Sequence, residues 1–131
     1  MFENICLLNT GLVNLGAQNS ITVYSGDEAF TFVNSATYTN AVIRKVGHIV
    51  SLHISGAIPN FEQYIGNFVG NIPNPALRPI RSIRVPIACM SGTGTPGLGF
   101  AYITNGGEIE CIPITGSNLN WIYLDAVYMV A

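Results

Sequence analysis

Charge is what this chain of 131 residues most lacks: 9% of its residues are Asp, Glu, Lys or Arg, and the formal net charge is −2. An average globular protein carries roughly 25%. Only five residues are Lys or Arg, too few for the phosphate-neutralising surface of a typical nucleic-acid binder. No apolar run is long enough to span a bilayer; Trp121–Ala131 is short and carries Asp125. The start Met1-Phe2-Glu3-Asn4 lacks the basic residues of a secretory signal, and Asn9 soon interrupts Cys6-Leu7-Leu8. Three cysteines, Cys6, Cys89 and Cys111, form no close pair. That count argues against a disulfide framework and for buried thiols in a chain made in a reducing cytoplasm.

What is present is apolar. Hydrophobic residues make up 49% of the chain, the mean hydropathy is +0.40 and there are 14 glycines. The apolar content is too high for a disordered tail. With so few charges, the surface falls to Asn, Ser, Thr and Gly or to a partner subunit. Self-association is therefore expected, and a homotrimer is the favoured assembly.

The periodicity is that of strands. Ser20–Tyr24 and Phe30–Val33 flank a turn at Ser25-Gly26-Asp27, and Ala36–Lys45 is rich in Thr, Tyr, Val and Ile. In His48–Ser55, Val50, Leu52 and Ile54 alternate with Ser51, His53 and Ser55, the mark of a half-buried strand. Gly56–Leu77 reads as irregular, with a possible helical turn over Phe61–Phe68. In Ser82–Met90, Ile83, Val85, Ile87 and Cys89 alternate with Arg84, Pro86 and Ala88. Pro86 predicts an edge or a bulge there. Leu98–Ile103 and Glu108–Ile114 flank Asn105-Gly106-Gly107, a hairpin signal. Trp121–Val130 is apolar on both faces, so one face is expected to meet a second sheet and the other a sister protomer. The fold class is all-β, an antiparallel β-sandwich or jelly roll. One compact unit is expected, with residues 1–40 as N-terminal strands or an attachment segment and 41–131 as the β-sandwich head.

No catalytic constellation emerges. His48 and His53 lie five apart on one predicted strand and so face opposite ways, which excludes a shared metal. No G-x-S-x-G turn is present, and Ser91–Gly97 lacks the Lys and helix of a P-loop. Glu108 and Glu110 share a strand face but sit on a single hairpin arm, not on two elements flanking a sugar. The chain reads as a non-enzyme, and no motif implies a cofactor. A binding surface remains. Trp121, Tyr123 and Asp125 lie two apart on one strand face, a geometry that suits a shallow saccharide site: aromatic faces stack on C–H faces while polar groups take hydroxyls. His53, Arg84 and Arg81 would add hydrogen bonds and a cation. Against this stands the plainer role of Trp121 as core or subunit interface.

The order of features from residue 41 resembles a phage tail-fibre C-terminal module. Arg44-Lys45-Val46-Gly47-His48-Ile49-Val50 matches its opening. Ile65-Gly66, Ile72-Pro73 and Leu77-Arg78-Pro79 match its loop, and Asn105-Gly106 its hairpin turn. The likeness covers about residues 41–128. It implies a phage receptor-binding head: a trimeric β-sandwich or jelly roll on a virion tail or fibre tip, made in the bacterial host cytoplasm, contacting other virion proteins and host cell-surface glycan. Neither nucleic acid nor membrane insertion is implied. Two rivals are a structural virion protein that binds only protein, and a trimeric ligand of the tumour-necrosis-factor or C1q type. The second sits poorly with the absence of N-x-Ser/Thr acceptors.

Overall fold

In the computed structural model, residues 20–33, 37–57, 63–92, 94–115 and 119–131 are described. They form β1 (Thr22–Ser25), β2 (Thr31–Phe32), β3 (Thr37–Val46), β4 (Ile49–Ala57), β5 (Asn67–Asn71), β6 (Ile83–Ser91), β7 (Pro96–Ile103), β8 (Glu108–Pro113) and β9 (Leu119–Met129). Two short 3-10 turns, Gly26–Glu28 and Pro75–Leu77, are the helical elements among the described residues. The all-β expectation holds. All nine strands belong to one antiparallel sheet in the order β1-β3-β4-β9-β6-β7-β8-β5-β2.

The connectivity forces that sheet to curl. Nine strands laid flat would span about 38 Å at ~4.8 Å spacing. Yet β1 and β2, at opposite edges, are joined by Gly26–Phe30 alone. The six steps from Ser25 to Thr31 reach at most ~20 Å. The sheet therefore rolls into a half-barrel whose two margins come near each other. Ala29 and Phe30, on the link, are fully buried, and Phe30 meets Phe32 edge-on at 4.5 Å. The N-terminal strands expected as a pair are not partners: β1 pairs with β3 and β2 with β5.

The inner face is the core. Ile43 from β3, Leu52 and Ile54 from β4, Ile122 and Leu124 from β9, Ile87 and Cys89 from β6, Ala101 and Ile103 from β7, and Ile109 and Cys111 from β8 all lie within it. Both cysteines are free thiols. Burial pushes the Cys89 thiol up to about 11 and the Cys111 thiol still higher, the latter also raised by the charge of Cys89. Cys6 lies outside the described residues.

The β6–β9 ladder runs only from Ala88↔Tyr123 to Ser91↔Leu119, while β6 stays paired with β7 down to Ile83. It stops one outward residue short of Pro86, which has no N–H to give. Below that point no strand among the described residues pairs with this flank of β6, in line with the edge or bulge its proline predicts. The Gly56–Leu77 stretch also differs from its irregular reading: Asn67–Asn71 is a strand on β8, with a register shift between Phe68 and Gly70. No helix forms in the described part of Phe61–Phe68; Phe61 itself lies outside it.

The loop that carried much of the sequence resemblance is a clamp. Ile72 N–H donates to Gly107 O, Arg78 Nε–H and Nη2–H donate to Ile72 O and Pro73 O, and the Tyr128 hydroxyl donates to Leu77 O at 2.7 Å. Together these close one end of the half-barrel. Gly107 sits at φ +90, and a Cβ there would stand 2.6 Å from Arg78 Nε. In the hairpin it is Gly107, not Asn105, that takes the positive φ. The motif residues Ile72, Leu77, Arg78 and Gly107 thus serve the scaffold.

Candidate functional site: the outer face of the sheet

Paired residues across a sheet share a face, so the registers place every outward side chain. Four of the six residues singled out from sequence converge on two neighbouring strands. Trp121, Tyr123 and Asp125 alternate outward along β9, and His53 of β4 pairs with Asp125. The His53 Nδ1–H donates to Asp125 Oδ1 at 2.6 Å. With a carboxylate oxygen as its partner, Nδ1 is the donor, and the bond orients the imidazole ring. Asp125 is 74% exposed, so the pair adds little to stability and its carboxylate is open to a ligand.

The aromatic pair occupies the next two positions. Tyr123 is 39% exposed, and its ring lies 6.3 Å from that of Trp121, tilted by 52°. Trp121 is half-buried between Ala57 and Met90 on the flanking strands. Its indole N–H is buried and has no hydrogen-bond partner among the described residues. Trp121 is thus a wall with only part of its ring presented.

Arg84 stands apart from this group. It lies on β6 below the point where β6 leaves β9, and its guanidinium sits over the Tyr102 ring of β7 at 5.1 Å. Tyr102 in turn pairs with Glu110 of β8, and Glu110 with Phe68 of β5. Arg84 is therefore on the same outer face but held toward β7. Arg81 is exposed on the loop before β6, and His48 is exposed in the β3–β4 turn. Tyr64 is 69% exposed at a left-handed φ of 65, with its N–H bonded to Pro113 O. The side chain of Tyr38 lies outside the described residues.

Sequence reasoning missed Leu98 and Phe100 of β7, which are 63% and 38% exposed on this face. Val127 and Met129, expected on the same face of the last strand as Trp121 and Tyr123, form an apolar cluster with Ile49 at the far end of β4 and β9. Alternation within each strand marks such residues as outward, but only the register shows which of them adjoin. No His/Cys/Asp/Glu cluster with metal-holding geometry occurs among the described residues. No described helix is long and apolar enough to cross a membrane.

No family model matches this sequence, and no curated protein matches it. Solved structures do. The chain is similar to the receptor binding protein of Listeria phage PSA, with a TM-score of 0.65 and 12% identity over 98% of this chain and 76% of that one. It is equally similar to the head domain of lactococcal phage bIL170, described among receptor binding domains of lactococcal phages. There the TM-score is 0.65 and the identity 12%, over 84% of this chain and all of that one. The chain has the fold of a phage receptor-binding head. At this identity the likeness is one of architecture, and it matches the resemblance seen in the motif order.

Proposed function

We propose that this chain is the receptor-binding head of a phage adhesion device, carried on the virion and attaching to a saccharide on the host cell surface. The observation that carries the reading is the shared fold, across 98% of the chain with a phage receptor binding protein and across 84% with a phage head domain. The outer face supports the saccharide: Tyr123 and Trp121 offer ring surface, while Asp125, His53 and, further off, Arg84 offer hydrogen bonds. Binding without chemical turnover is the role proposed, and attachment to other virion proteins goes with it.

A homotrimer is part of the same proposal. Ile49, Val127 and Met129 are 54%, 70% and 58% exposed, and Val127 and Met129 alternate on one strand beside Ile49. Apolar groups so exposed and adjacent suit burial against a sister chain. Three copies would then act together, so modest affinity at each site multiplies by avidity.

The test is adsorption of the purified full chain to host cells and to a glycan array of bacterial surface saccharides. Trp121→Ala and Asp125→Asn should each weaken attachment while leaving the thermal midpoint of Asp125→Asn unchanged. If the intact assembly binds no saccharide, the reading fails and a purely structural virion role takes its place. If Trp121→Ala lowers the midpoint or splits the assembly with attachment otherwise retained, Trp121 is a structural residue.

A further inference from the structure

The registers build a trough on the outer face that no single strand reveals. β6 lies between β9 and β7, and its outward residues at the centre are the small ones, Pro86 and Ala88, both exposed. On one side Ala88 adjoins Tyr123; on the other it adjoins Leu98. One step along, Pro86 adjoins Phe100, which adjoins Ile112. Met90 and Trp121 stand abreast at the upper end. At the lower end the β6–β9 ladder has stopped, leaving Asp125 with its His53 partner on one flank and Arg84 over Tyr102 on the other.

We propose that this trough over Ala88 and Pro86 is the seat of one saccharide ring, held between Tyr123 and the Leu98–Phe100 wall, with its hydroxyls toward Asp125. The proposal rests on the saccharide reading above and adds its floor and second wall. Three observations favour a sugar ring over other occupants. The backbones of β9 and β7 stand about 10 Å apart, two strand spacings. A packed helix needs about 10–12 Å for itself and does not fit between side chains raised from those strands. The floor residues Ala88 and Pro86 are small, apolar and exposed, as a ring's C–H face requires. The lower end carries an exposed carboxylate and a guanidinium, so donors and acceptors of both kinds meet the hydroxyl rim. Ala88 and Pro86 set the ligand's depth: a larger side chain at 88 would occupy the ring's place.

The experiment compares the full-length chain with Ala88→Ile, Ala88→Ser and Leu98→Ala. Each is titrated with a methyl glycoside of the sugar that scores on the bacterial glycan array, with thermal midpoint and sedimentation measured alongside. Ala88 is exposed, and Ile is a good strand former, so Ala88→Ile should fold and assemble as the parent does. It should bind at least about tenfold more weakly, while Ala88→Ser stays within about twofold and Leu98→Ala loses roughly three- to tenfold. Equal binding by the parent and Ala88→Ile overturns the trough and leaves the saccharide reading intact. A parent that binds no array sugar brings down that reading and the trough with it. A changed sedimenting mass for Ala88→Ile overturns the trough as well, since a sister copy would then be its occupant.

Discussion

The two faces of β9 are both rich in apolar residues and opposite in fate. Inward, Ile122, Leu124, Ala126 and Tyr128 are buried in the half-barrel. Outward, Tyr123, Asp125, Val127 and Met129 are exposed, Val127 at 70%. A strand in a simple one-sided sheet would be polar outward. Among the described residues, the strands of the half-barrel bury the inner face by themselves, whereas the outer face keeps large apolar side chains exposed. The outer residues are the ones to examine for recognition, and the inner ones for stability.

Substitutions can break that division or sharpen it. The largest effect is expected from Leu124→Ala, which leaves a cavity where the side chain is fully buried. It should cost about 2–5 kcal/mol, read as a fall in the denaturant midpoint. Next is Tyr128→Phe, which strands Leu77 O without its hydroxyl donor. It should cost about 1–3 kcal/mol, and hydrogen exchange should quicken around the Ile72–Pro79 clamp. A loss as large for Val127→Lys as for Leu124→Ala, in the separated chain, would abolish the distinction between the faces.

The inner thiols add a pH signature. Cys89 titrates near 9.0 when unfolded and near 11 when folded, and burial raises Cys111 and the Tyr128 hydroxyl as well. A folded value above the unfolded one means the unfolded chain gives up its proton first. Stability from these groups is therefore full below about pH 9 and declines as pH rises toward 11 and beyond. Chemical denaturation at pH 8, 9.5 and 10.5 should show that fall, and Cys89→Val should reduce it. The smallest change in stability is expected on the outer face. Val127→Lys should alter the fold by under about 0.5 kcal/mol but lower the sedimenting mass of the assembly. An unchanged mass would remove this cluster from the subunit contact.

Much of the fold was legible because alternation is local. The outward and inward sets of β4, β6 and β9 follow from period two, and the β7–β8 hairpin from its Gly-rich turn. Strand β5 was not legible. It has five residues, including Gly70, and a register shift, and its partner β8 lies some forty positions away. Nor did any local signal show that β1 and β2 would separate to opposite margins. The site divides the same way. Trp121, Tyr123 and Asp125 were legible as one strand face. The His53–Asp125 bond joins residues 72 positions apart and depends on the β4–β9 register. Arg84 was assigned to the same site but engages Tyr102, because Pro86 parts its strand from β9. Ala88 was legible as facing away from Ile87 and Cys89 but not as part of a site, since a small residue matters only once its neighbours are known.

The short link between β1 and β2 has a mechanical consequence. It fastens the two outermost strands to each other, so neither margin can drift outward to serve as a template for a foreign strand. Asp27 and Glu28 on that link are exposed and within reach of a protease. A single nick there would remove no core residue, yet it would unlatch both margins at once and turn a self-contained shell into one with two adhesive rims.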